Sequence, residues 1–206
     1  MLRHHRFPVV FVGVLGLTLF LGSCGKDASS SSGGATKGPS VKQDSTKESL
    51  IALLKKVRAL QAADKNEEAG AMTRLLLPST KERLGKALRP GVPEEKLKSM
   101  LAMHGKFAAA PNGRLAGLLR SKPDQSEIQA HCATTEEIAA NKPGTIVFKE
   151  FPGGAVGLAK EVLKPGLTFC EVEYLKPGEE RGMKYHMFFW DGASWTMLGP
   201  MWRAMR

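Results

Sequence analysis

The side chains best suited to chemistry are three cysteines, Cys24, Cys132 and Cys170, and the three histidines beyond residue 23: His104, His131 and His186. A thiol nucleophile needs an imidazole within hydrogen-bond reach. Cys170 and His186, on neighbouring strands, would supply that pair for a small thiol-dependent hydrolase or transferase. Two other fates compete for the sulfurs. Cys132 and Cys170 form an even pair that an oxidising compartment can close as a disulfide, or both remain buried as free thiols. His131 and Cys132 are adjacent on a predicted strand, so they point to opposite faces. No two histidines share a metal-ligand spacing, so neither a metal nor a cofactor is expected. Nor does the chain carry a Gly-x-Ser-x-Gly elbow or a phosphate-cradling glycine loop; Gly153-Gly154 reads as a turn. Glu171 and Glu173 share a strand face opposite Cys170 and Val172, which predicts a solvated face and not an acid/base pair. No residue is assigned a catalytic role, and the chain leans towards a non-enzyme.

The aromatic side chains concentrate near the C-terminus: Tyr185, Phe188, Phe189, Trp190, Trp195 and Trp202. Large side chains at a sheet build core. The functional alternative is a small-ligand carrier whose aromatic pocket is formed by Tyr185, Trp190, Trp195 and Trp202, with Arg203 or Lys184 pairing an anionic ligand.

These residues must be held by helices first and strands after. Ser45-Thr46-Lys47-Glu48 resembles a capping box, followed by Leu50, Leu53, Leu54, Val57 and Leu60 at helical spacing. A second helix begins at Asp64 to Glu67, carries Ala71, Met72, Leu75 and Leu76, and stops at Pro78. Ser79-Thr80-Lys81-Glu82 and Pro93-Glu94-Glu95 open two more, the last with Leu97, Met100, Leu101 and His104 inward. Pro111-Asn112-Gly113 predicts a turn. Strands are expected over 127–133, 145–151, 167–175, 183–190 and 194–198, with one helical turn at Thr134 to Glu137 and a short helix over 155–163. Pro152-Gly153-Gly154 should break the second strand, and Asp191-Gly192 is a favoured tight-turn pair. The class is α+β, with N-terminal helices packed on one face of a C-terminal antiparallel sheet.

The amino terminus sets the location. Arg3 and Arg6 precede an apolar run, Phe7 to Leu21, that is short for a membrane span of roughly 20 residues and interrupted by Pro8, Gly13 and Gly16. It fits a signal-peptide core. The run ends in Leu21-Gly22-Ser23-Cys24, which resembles the lipobox of bacterial lipoproteins. That resemblance implies cleavage between Ser23 and Cys24, a diacylglyceryl group on the Cys24 thiol and acylation of its new amino group. Two or three acyl chains hold durably where one holds marginally. Gly25, in place of an inner-membrane retention aspartate, favours the outer membrane in a cell that has one. The expected organisation is a signal peptide at 1–23, lipidated Cys24 with a disordered Ser/Gly linker through 44, and a single domain at 45–206. Losing residues 1–23 removes two of the 30 Lys+Arg and none of the 20 Asp+Glu, leaving a net charge of about +8. The implied partners are the membrane, through the lipid, and an anionic envelope polymer or another envelope protein. Export removes nucleic acid from the list.

Residues 45–200, by their element order and the terminal hairpin Trp190-Asp191-Gly192…Trp195, resemble the cone-shaped fold of the nuclear transport factor two and ketosteroid isomerase group. The resemblance implies helices over a curved sheet with an interior space. That group's catalytic acid and tyrosine match no position in this chain, so no isomerase activity is implied.

Overall fold

The computed structural model describes residues 44–205. The expected signal peptide, the lipobox-like Leu21-Gly22-Ser23-Cys24 and all but the last residue of the expected linker lie outside the described residues.

Helix α1 (Lys47–Ala62) starts one residue later than the capping pattern suggests. Thr46, not Ser45, is the cap, its hydroxyl accepting from the Ser49 amide. The stripe Leu50, Leu53, Leu54, Val57 and Leu60 is buried as its spacing requires; each such side chain contributes about 1.5–3 kcal/mol on burial. Helix α2 (Asn66–Leu75) buries Met72, and Leu76 follows as its cap, whereas Leu75 points to solvent. Next come α3 (Lys81–Gly85), capped by Thr80, and α4 (Glu94–Ala108), which buries Leu97, Met100 and His104. The expected turn at Pro111 is the start of a short helix, α5 (Asn112–Leu115). It crosses α2 so closely that a Cβ on Gly70 would lie 1.8 Å from the Asn112 carbonyl oxygen. Arg74 fastens the crossing, donating to Asn112 Oδ1 at 3.0 Å and to the Ala108 carbonyl at 2.7 Å.

Strand β1 (Glu127–Thr134) follows, then three helices: α6 (Thr135–Ala140), α7 (Ile146–Glu150) and α8 (Gly153–Glu161). α6 opens on a complete capping box between Thr134 and Glu137. α7 corrects the expected strand at 145–151. Thr145 accepts from the Phe148 amide as a cap, and burial follows an i, i+4 pattern: Val147 and Phe151 go inward, Ile146 and Phe148 outward. β-Propensity reports fit to a half-buried sheet surface, and this segment has a helix surface to fit instead. Pro152, expected as a breaker, is the N-cap of α8.

β2 (Thr168–Leu175), β3 (Met183–Trp190) and β4 (Trp195–Met197) complete an antiparallel sheet in the order β1-β2-β3-β4, closed by a 3-10 turn (Met201–Met205). The domain is α+β. One sheet face carries Ile128, Ala130, Cys170, Val172, Tyr174 and Phe188 against α1, α2 and α5. The other carries Ala133, Phe169, Met187 and Phe189 against α4, α6, α7 and α8. Of the N-terminal helices, α1, α2 and α5 thus lie on one face as expected, whereas α3 and α4 join the helices inserted between β1 and β2 in a second layer on the other.

Between β3 and β4, Asp191 organises the loop: its carboxylate accepts from the Ala193 and Ser194 amides, both at 2.9 Å, and from Arg83 Nε at 2.7 Å. Burial opposes its ionisation, but the Arg83 guanidinium and these amides outweigh that and hold the carboxyl well below the usual range.

Candidate functional site

The register of β2 against β3 slips between Cys170 and Val172: Cys170 faces Phe188, yet Val172 faces Tyr185. One residue, Glu171, therefore opposes two, His186 and Met187. Met187 absorbs the extra residue with φ 60°, a left-handed conformation costly for a residue with a side chain. Bulges re-aim side chains, and this one turns both His186 and Met187 onto the face that bears Glu171.

That face carries a polar stripe. Glu171 and Glu173 are 1% and 3% exposed, which corrects the expected solvated face. The helices inserted after β1 cover them, and each carboxylate has partners that compensate for burial. Glu171 Oε2 lies 2.6 Å from His186 Nδ1, and Oε1 accepts from the Met187 amide at 3.3 Å. Burial pushes the Glu171 carboxyl above its ordinary value, against the pull of His186 and that amide. Glu173 accepts from the Gly182 amide and lies 3.5 Å from Lys184 Nζ. Gly182 permits this: a Cβ there would meet the Tyr174 carbonyl oxygen at 1.9 Å. Lys184 Nζ also donates to Glu150 Oε2 at 2.6 Å. Burial opposes ionisation of both Lys184 and Glu150. Their mutual bond and attraction, with Glu173, prevail, raising the ammonium and lowering the Glu150 carboxyl.

His131, Glu150 and Glu173 place one ligand atom each within 4.8 Å of one another. Such a set could hold a divalent cation of the kind that accepts nitrogen and carboxylate donors. The Lys184 ammonium already neutralises both carboxylates, so a metal would have to displace it.

Beside the stripe, past the end of β4 and next to the first half of β3, lies a cavity of about 360 Å³. Leu77, Met103, Phe107, Leu118, Met197 and Leu198 form its apolar walls. Its polar lining comprises His104, Lys184, Tyr185, His186 and Arg203. His104 is buried, with Nε2 donating to the Leu198 carbonyl at 3.1 Å and Nδ1 without a partner. Burial lowers its pKa to about 4, the Leu198 bond working the other way, so the ring is neutral. An orphan acceptor of this kind costs about 1–3 kcal/mol. Tyr185 donates its hydroxyl to the Arg120 carbonyl at 3.0 Å, and burial pushes its pKa up to about 12.

The residues singled out from the sequence are thus divided. Tyr185 and Arg203 line the cavity; Trp190, Trp195 and Trp202 do not. Trp190 and Trp195 meet edge to face at 5.9 Å within the core under α1, where Trp195 Nε1 donates to Ser49 Oγ at 2.8 Å. Trp202 packs against the His186 ring at 5.4 Å and over Gly154, whose absent Cβ would lie 2.3 Å from the indole. Cys132 and Cys170, opposite each other in the β1–β2 register, are joined as a disulfide. Cys170 then has no thiolate for His186, and the two lie on opposite sheet faces. Glu150, Glu171 and Glu173 are the residues the sequence did not single out for a site. The alternation of Glu171 and Glu173 with Cys170 and Val172 placed them on one face but not beneath helices.

Among the described residues no helix is long and apolar enough to cross a membrane. No protein-family model matches the chain, and no match was found among the curated proteins or the solved structures.

Proposed function

We propose that the chain is a cell-envelope lipoprotein, held at a membrane through Cys24, whose folded domain is a non-catalytic module that takes the apolar part of a small ligand into the cavity beside β3. The anchor rests on Leu21-Gly22-Ser23-Cys24 and the polar stretch that follows. The binding role is carried by one observation: an apolar cavity of about 360 Å³ stands open beside α4 and the first half of β3. Its apolar lining sets it apart from the more polar hollows elsewhere on the surface. This cavity falls within the range of small-molecule sites, with apolar walls and a few convergent polar groups. A thiol-dependent reaction has no free sulfur to use while Cys132 and Cys170 are bonded.

The test is calorimetric titration of octanol into the full chain held in phosphatidylcholine nanodiscs, with empty nanodiscs as reference. Saturable binding at one site is expected, lost in Leu118→Trp and in Met103→Trp, each of which puts a larger side chain into the cavity. Uptake no greater than that of empty nanodiscs, or equal binding by both filled variants, would remove the cavity from consideration.

A further inference from the structure

We infer that the ligand is a single-chain amphiphile with a monoanionic head, its chain in the cavity and its head held by Arg203 together with His186. This rests on the cavity being a ligand site and adds the chemistry of the head.

Among the described residues the cavity lining contains no aspartate or glutamate, whereas Lys184, His186 and Arg203 all border it. These three are not equally available. The Lys184 ammonium is committed to Glu150 and Glu173. Arg203 is exposed, and its guanidinium pairs with no acid among the described residues. It is therefore the cation left over, beside apolar walls that hold a chain. His186 is the second contact. Its ring is fixed on one side by Glu171 at Nδ1 and on another by the edge of Trp202. Among the described residues Nε2 has no hydrogen-bond partner. With Nδ1–H donated to Glu171, Nε2 of a neutral ring offers a lone pair that repels an anionic oxygen. A ring whose Nε2 carries a proton offers a donor at that atom instead, held in place by Glu171 at Nδ1.

The titratable and charged groups around His186 are accounted for from each neighbouring element. Glu171 comes from β2, Lys184 from β3, Arg203 from the terminal 3-10 turn, and His104 from α4. His131, Glu150 and Glu173 lie beyond Lys184 on the same face. Of these, Glu171 alone touches the imidazole through a hydrogen bond. One unpaired cation and one conditional donor suit a single negative charge, of which a medium-chain carboxylate is the simplest case.

Octanoate, octanol and octyltrimethylammonium, titrated into the full chain in phosphatidylcholine nanodiscs, separate the possibilities. At about pH 6, octanoate should bind about tenfold tighter than octanol, the scale of a charge-assisted hydrogen bond, and the quaternary amine should bind weakest. Arg203→Ala, at an exposed position, should bring octanoate down to octanol without altering the melting temperature. His186→Ala should weaken octanoate several-fold and leave octanol unchanged. Equal binding of octanoate and octanol by the unaltered chain, or tightest binding of the amine, would overturn the anionic head and leave the cavity as a site for neutral chains. Binding of none of the three would overturn both.

Discussion

Buried Glu171 pairs with half-buried His186 across a β-bulge, with Oε2 and Nδ1 2.6 Å apart and the second carboxylate oxygen on the Met187 amide. The carboxylate thereby satisfies the Met187 amide, which the slipped register takes out of the sheet ladder, and engages the imidazole with its other oxygen. It supports both the imidazole beside the cavity and the left-handed backbone at Met187.

Replacing Glu171 separates charge from hydrogen bonding. Glu171→Ala leaves the Met187 amide and His186 Nδ1 buried without partners and should cost about 2–4 kcal/mol in urea denaturation. Glu171→Gln retains an acceptor for the amide and should cost about 1 kcal/mol or less, because a buried charge is removed along with the attraction it provided.

The Cys132–Cys170 bond spans a sequence separation of 38 residues. By the chain-entropy argument, a closed loop of that size stabilises by about 3–4 kcal/mol. The double variant Cys132→Ala/Cys170→Ala should lose about that amount. Intact mass after iodoacetamide should show neither cysteine alkylated until a reductant is added.

His104 makes stability fall with acid. Its folded pKa is depressed to about 4 from an ordinary 6.5, so the unfolded chain binds a proton that the fold excludes. Its contribution is therefore full above about pH 6.5 and is lost as pH falls through about 4, a difference of about 3 kcal/mol. His104→Gln, whose amide can still donate to the Leu198 carbonyl, should flatten that part of the pH–stability curve measured by urea denaturation.

The order of elements and the α+β class were legible because capping residues and apolar periodicity are local. Thr134 and Glu137 read as a capping box and form one, and the stripe from Leu50 to Leu60 reads as buried and is. Residues 145–151 misled because their β-branched and aromatic content matches a strand, while the deciding surface is supplied by distant residues. The polar stripe was hidden for a related reason. Glu171 and Glu173 alternate as a solvated face should, and nothing within β2 reveals that α7 and α8 will cover it. A bulge that brings His186 beside Glu171 has no local mark either, since Met187 shows no preference for positive φ. The tryptophans drew attention as pocket residues by size alone, and Trp190 and Trp195 are spent on the core.

The anchor has its own test. Cys24→Ser should release the chain from the membrane fraction and remove the acyl mass from the mature amino terminus, as read by intact-protein mass spectrometry. An unaltered chain whose first 23 residues remain attached would contradict lipidation at Cys24.

Ligand uptake beside β3 is tested most directly by methyl NMR of the full chain in nanodiscs, with 13C-labelled methionine, as octanol is added. Met103 and Met197 line the cavity, whereas Met72 and Met187 lie in the packed cores. The predicted result is a saturable shift of the Met103 and Met197 methyl signals with Met72 and Met187 unmoved. Shifts spread over all four, or none at Met103 and Met197, would contradict it.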